Sequence, residues 1–69
     1  MRMIKHSSNE VESTAVFQFD NESIATVWRE EYLKNMRKQK ATGVVTAPEK
    51  GKRTDYWYVQ VTVHKTKAA

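Results

Sequence analysis

Cysteine is absent from this chain, proline occurs once and glycine twice. Without cysteine no disulfide can staple the fold, and thiolate metal sites are excluded. The two histidines, His6 and His64, stand far apart in sequence, and no carboxylate spacing completes a set of metal ligands around either. No cofactor is expected. No apolar run approaches the ~20 residues of a membrane span. The basic opening Met1-Arg2-Met3-Ile4-Lys5-His6 lacks the apolar stretch of a signal peptide. The expectation is a cytoplasmic protein with no membrane partner.

Sixty-nine residues make one small domain. A single core of this size rarely gives more than ~3–5 kcal/mol without disulfides, metal or oligomerisation. With the first two excluded, self-association is the expected support, and a homodimer follows as the predicted state. The composition, 39% hydrophobic and 29% charged, is that of a folded chain rather than a disordered one.

The net charge of +4 is unevenly distributed. Between Glu10 and Glu31 six acids (Glu10, Glu12, Asp20, Glu22, Glu30, Glu31) meet one base, Arg29. Between Lys34 and Arg53 seven bases (Lys34, Arg37, Lys38, Lys40, Lys50, Lys52, Arg53) meet one acid, Glu49. Such a switch can mark an anionic partner. Acids early and bases late in a helix also complement its dipole with no partner at all.

Val11–Phe19 alternates with Val11, Ala15, Phe17 and Phe19 in one register, which predicts a half-buried strand. Asp20 stands where a helix N-cap belongs. From Asn21 to about Ala41 the spacing predicts the single helix, with Ile24, Ala25, Trp28, Tyr32 and Met36 on its buried face and Gly43 as its stop. Val27 and Leu33 fall outside that stripe, which suggests a patch for association or a wider buried face. Val44–Ala47 reads as a short strand ended by Pro48. A tight turn at Lys50-Gly51 would set Glu49 opposite Lys52, Val45 opposite Tyr56 and Val44 opposite Trp57, with Val44 inward.

The strongest strand runs from Asp55 to about Lys65. Trp57, Val59, Val61 and Val63 point inward on it, and Tyr56, Tyr58, Gln60, Thr62 and His64 point outward. Met3–His6 is a candidate further strand, joined through a Ser7-Ser8-Asn9-Glu10 turn, and Thr66–Ala69 reads as a loose tail. Together these elements predict an α+β fold, a single helix on one face of a three- or four-stranded mixed sheet in the order (β)-β-α-β-β. The strands flanking the helix would be parallel neighbours.

Catalysis finds little support. There is no glycine-rich phosphate loop, nucleophile elbow or histidine-rich motif. Ser7, His6 and Glu10 contain the residue types of a triad, but adjacency in a turn does not bring them together. Binding is the better-supported class, and two surfaces could carry it. One is the outer sheet face, where Tyr56, Tyr58, Gln60 and His64 could stack unpaired bases or meet a second copy, although tyrosine is favoured on strands in any case. His64 in particular has the ordinary reading of a solvated strand histidine. The other surface is the basic set Lys34, Arg37, Lys38, Lys40, Lys50, Lys52 and Arg53, suited to phosphates or serving only solubility. The leading expectation is a small, non-enzymatic, homodimeric nucleic-acid-binding or regulatory protein with DNA or RNA as partner. The alternative is an interaction module, an accessory or inhibitory protein docking on a larger host enzyme.

Overall fold

The computed structural model describes residues 1–65; the expected tail, 66–69, lies outside them. Strands β1 (Arg2–Ser8) and β2 (Glu12–Phe19) form a hairpin and are followed by helix α1 (Glu22–Lys38). Strands β3 (Thr42–Val45), β4 (Glu49–Lys50) and β5 (Trp57–His64) follow it among the described residues. The fold is α+β: one helix and one five-stranded sheet in the order β1-β2-β5-β3, with β4 continuing the β3 edge alongside β5. No helix among the described residues is long and apolar enough to cross a membrane.

Every strand pair is antiparallel, which corrects the expected mixed sheet of three or four strands. β2 and β3 do run parallel, as a crossover through α1 requires. β5 lies between them, however, so the parallel strands never touch. The apolar content explains this placement. β5 carries Val59, Val61 and Val63 beneath the helix and is the strand best fitted to the centre of the sheet.

The core comprises Phe19, Ala25, Met36, Val45, Val59 and Val61. Register puts its strand members on one face: Phe17 opposite Val59, Ala15 opposite Val61, and Val61 opposite Val45. Trp28 closes one side of this core, its ring 4.8 Å from Phe17, 5.3 Å from Phe19 and stacked at 5.0 Å on Tyr32. The inward set of the last strand behaves as its alternation predicts. The helix face is rotated from the expected one: Ala25, Trp28, Arg29, Tyr32, Leu33 and Met36 turn toward the sheet, whereas Ile24 is exposed.

The β3–β5 hairpin departs furthest from the sequence reading. Val45 faces Val61, not Tyr56, and Lys50 faces Trp57, so the tight turn at Lys50-Gly51 is replaced by a loop of residues 51–56. A shift from position 56 to position 61 is odd, and an odd shift turns every side chain to the other face. Accordingly Val45 is 5% exposed and Val44 60%, the reverse of the expected pair. Between Val45 and Glu49 three residues oppose the two that separate Tyr58 from Val61. This bulge contains Pro48, which has no N–H to give a ladder. At the bulge the Thr46 hydroxyl, rather than its carbonyl, accepts from the Gln60 N–H at 3.0 Å. The freed Thr46 carbonyl and that of Val45 accept from the Arg29 guanidinium at 3.0 to 3.3 Å. The lone base of the acidic half is thus a structural tie between helix and sheet edge.

The helix ends differ from expectation for local reasons. Asn21, not Asp20, is the N-cap, its side chain accepting from the Ile24 N–H at 2.9 Å. At the other end Lys40 takes the left-handed conformation, with φ +54°. Its N–H bonds the Arg37 carbonyl, and the Ala41 N–H bonds that of Met36. That pattern is a Schellman stop with lysine in the position glycine favours. Gly43 instead sits within β3, where a Cβ would collide with the Thr62 carbonyl oxygen of β5.

Candidate nucleic-acid interface

Among the described residues no helix covers the sheet face away from α1, and its side chains follow from the register in rows. Arg2, Gln18, Tyr58 and Glu49 form the first row across the strands, and Lys5, Val16 and Gln60 the second. Ser7, Thr14, Thr62 and Val44 form the third, and Glu12, His64 and Thr42 the fourth. Directly opposed residues share a face, so this surface is mostly polar, with Val16 and Tyr58 as an apolar island and Val44 exposed at the β3 edge.

The hairpin loop overhangs that island. Val16, Tyr58 and Gln60 floor a shallow hollow of about 250 Å³ walled by Glu49, Lys50, Gly51 and Lys52. Tyr58 is held in place: its hydroxyl lies 3.4 Å from Gln18 Nε2, which donates to it, and 3.1 Å from the Thr54 hydroxyl. Gly51 lets the loop approach the Tyr58 ring, for a Cβ there would stand 2.7 Å from the ring's Cε2. The loop is braced by the Gly51 N–H donating to the Tyr56 carbonyl and by the Tyr56 N–H donating to Thr54 Oγ1.

The candidate residues therefore divide into groups. Lys50 and Lys52 share the hollow with Tyr58 and Gln60, and Arg53 lies beyond them in the same loop. Lys50 is opposite Trp57, so its strand position belongs to the helix side even though it borders the hollow. Tyr56 stands just before β5, in the loop, and is 42% exposed. His64 is on the outer face in the fourth row, opposite Glu12. Lys34 and Arg37 flank Leu33 and Glu30 on the helix, and Lys38 and Lys40 stand at its C-terminal end. Lys34, Arg37 and Lys38 belong to the helix layer and Lys40 directly follows it, whereas the hollow is lined from the sheet and the loop.

Two cations of the outer face escaped the sequence reading. Arg2 lies opposite Gln18, and Lys5 opposite Val16. A register irregularity between Met3 and Lys5 breaks the alternation that would have revealed them. His6 faces Ala15 on the helix side, with Nε2 3.3 Å from Ser13 Oγ, and β2 separates its strand from β5. Ser7, its neighbour, faces Thr14 on the other side of the sheet, so those two triad residue types point apart.

Comparison with protein-family models, curated proteins and solved structures found no match, so the functional reading rests on the chemistry of this surface.

Proposed function

We propose that this chain is a binding protein for single-stranded nucleic acid, which lies across the outer sheet face, rather than a catalyst. The hollow carries the reading. There a fixed tyrosine, a side-chain amide and an apolar floor are flanked by Lys50 and Lys52 on one side and by Lys5 and Arg2 across the sheet. An unpaired base needs an apolar surface and a hydrogen-bonding edge, and Val16, Tyr58 and Gln60 offer both. Phosphates on either side of the base need cations on both flanks. The four cations outnumber the two nearby acids, Glu49 beside the hollow and Asp55 in the loop, and long flexible side chains suit a backbone of variable path. The helix cations are not part of this reading; late in α1 they complement its dipole.

The test is fluorescence anisotropy with labelled oligouridine and oligodeoxythymidine over a salt series. Four phosphate contacts on a single strand predict a log–log slope of about −3, from roughly 0.7 per contact. Lys5→Glu and Lys52→Glu should each weaken binding and flatten that slope, whereas Lys34→Glu should leave both unchanged. Absent binding, or affinity indifferent to salt, would sink the reading.

A further inference from the structure

The helix covers only part of its side of the sheet. α1 packs on β2, β5 and β3, while all seven residues of β1 are exposed. A helix is ~10 Å across and strands lie ~4.8 Å apart, so one helix covers about two strands and leaves room for another beside it. The molecule thus carries a step: α1 stands high, and β1 forms a low shelf along its flank. The step is apolar at one end. Met3 is opposite Phe17, Phe17 touches Trp28, and Trp28 shares an open apolar hollow with Ile24 and Val27. Met3, Ile24 and Val27 are between 46% and 61% exposed. That is a contiguous apolar surface beside a core of six buried apolar residues among those described, and such surfaces mark interfaces.

We infer that this step is a self-association surface, on which α1 of a second copy seats over β1 and its own β1 receives the first copy's helix. A two-fold axis along the step makes the arrangement isologous. The high helix of each copy fills the low shelf of the other, giving two helices enclosed between two sheets. A hydrogen-bonding pair supports the seat. His6 lies on the shelf opposite Ala15, two residues along β2 from Phe17. That is ~6.6 Å, the rise of about four helix residues beyond Trp28, which is within a turn of Glu31. Glu31 lines the same exposed flank as Ile24 and Val27. Met3 therefore meets Ile24 and Val27 of the second copy, and His6 meets its Glu31. Charge disfavours the other two self-pairings. Joining β1 edge to edge sets Arg2 and Lys5 against the same cations, because β1 has no acid. Crossing two helices antiparallel at Ile24 and Val27 sets Asp20 against Glu31.

Sedimentation velocity of the full chain from micromolar to millimolar concentration tests the proposal, with circular dichroism to confirm folding. The expected result is a dimer that Val27→Glu and Met3→Glu each weaken at least about tenfold, or about 1.4 kcal/mol. Both positions are exposed, so the helical spectrum should persist; if either variant unfolds, the other decides. His6→Glu should weaken the dimer and Glu31→Lys added to it should restore it, an outcome that general apolar stickiness does not give. Tyr58→Glu, on the outer face, should leave the dimer intact. A wild type that stays monomeric, a dimer indifferent to Val27→Glu and Met3→Glu, or one lost through Tyr58→Glu would each overturn it.

Discussion

Replacing Arg29 with methionine keeps an unbranched apolar stem beside the core and removes only the guanidinium. That group donates to the Val45 carbonyl through both Nε and Nη2, at 3.3 and 3.1 Å, and to the Thr46 carbonyl through Nε at 3.0 Å. The Thr46 bond is exposed and water can replace it, so its loss should cost little. The Val45 bonds are partly buried. Val45 ends β3 where the bulge interrupts the ladder, and its carbonyl has no strand donor to fall back on in that direction. A hydrogen bond from a charged donor contributes ~1.5–3 kcal/mol net, and the partial exposure places this site toward the lower end. The predicted loss is about 2 kcal/mol, against a total of ~3–5 kcal/mol for so small a core. Urea unfolding followed by the fluorescence of Trp28 and Trp57 would measure it. With a slope near 1 kcal/mol/M the midpoint should fall by about 2 M. Arg29→Lys should recover only part of this, since an ammonium cannot present the guanidinium fork. Arg53→Met in the loop serves as the control. If Arg29→Met unfolds at the same midpoint as Arg53→Met, the bulge is not held by Arg29 and the account of that edge fails.

Two further predictions concern backbone positions. Lys40→Gly should stabilise the protein by roughly 0.5–1 kcal/mol, because glycine occupies the left-handed Schellman position without the strain lysine bears there; a lower melting temperature would contradict it. Gly43→Ala should destabilise by about 2–3 kcal/mol despite the exposure of the site, because the added methyl meets the Thr62 carbonyl across the ladder. An unchanged urea midpoint for that variant would show that β3 can shift away from β5 at no cost.

The local features that the sequence determined are those in which a residue's neighbours along the chain decide the outcome. Alternation in Trp57–Val63 put the correct four side chains on the core side, Val59 and Val61 within the core and Trp57 and Val63 packed against it, because a strand's period of two is independent of its partner. The span of the helix and its apolar face were legible to within a rotation. Its ends were less so, since Asp20 and Asn21 are chemically equivalent caps and only the path of the chain out of β2 chooses between them. Lysine at the helix stop ran against propensity, and the contacts of Ala41 and Met36 held it there.

Pairing was decided in three dimensions. The charge of Arg2 and Lys5 was visible, but the irregularity at Ile4 hid the face they occupy until β1 was matched to β2. Lys50, Lys52, Tyr58 and Gln60 were all named from sequence. That they share one hollow depends on a loop of residues 51–56, which a tight turn at Lys50-Gly51 would have abolished. A turn's sequence signal is local and is worth a fraction of what burying Val45 against Val61 contributes. The register therefore followed the core, and a shift by an odd number of residues carried Val44 outward and Val45 inward. Composition and period thus set which residues can be buried. The sheet's closure around β5 settled which strands meet, which cations flank the tyrosine, and which side of the helix was left without a cover.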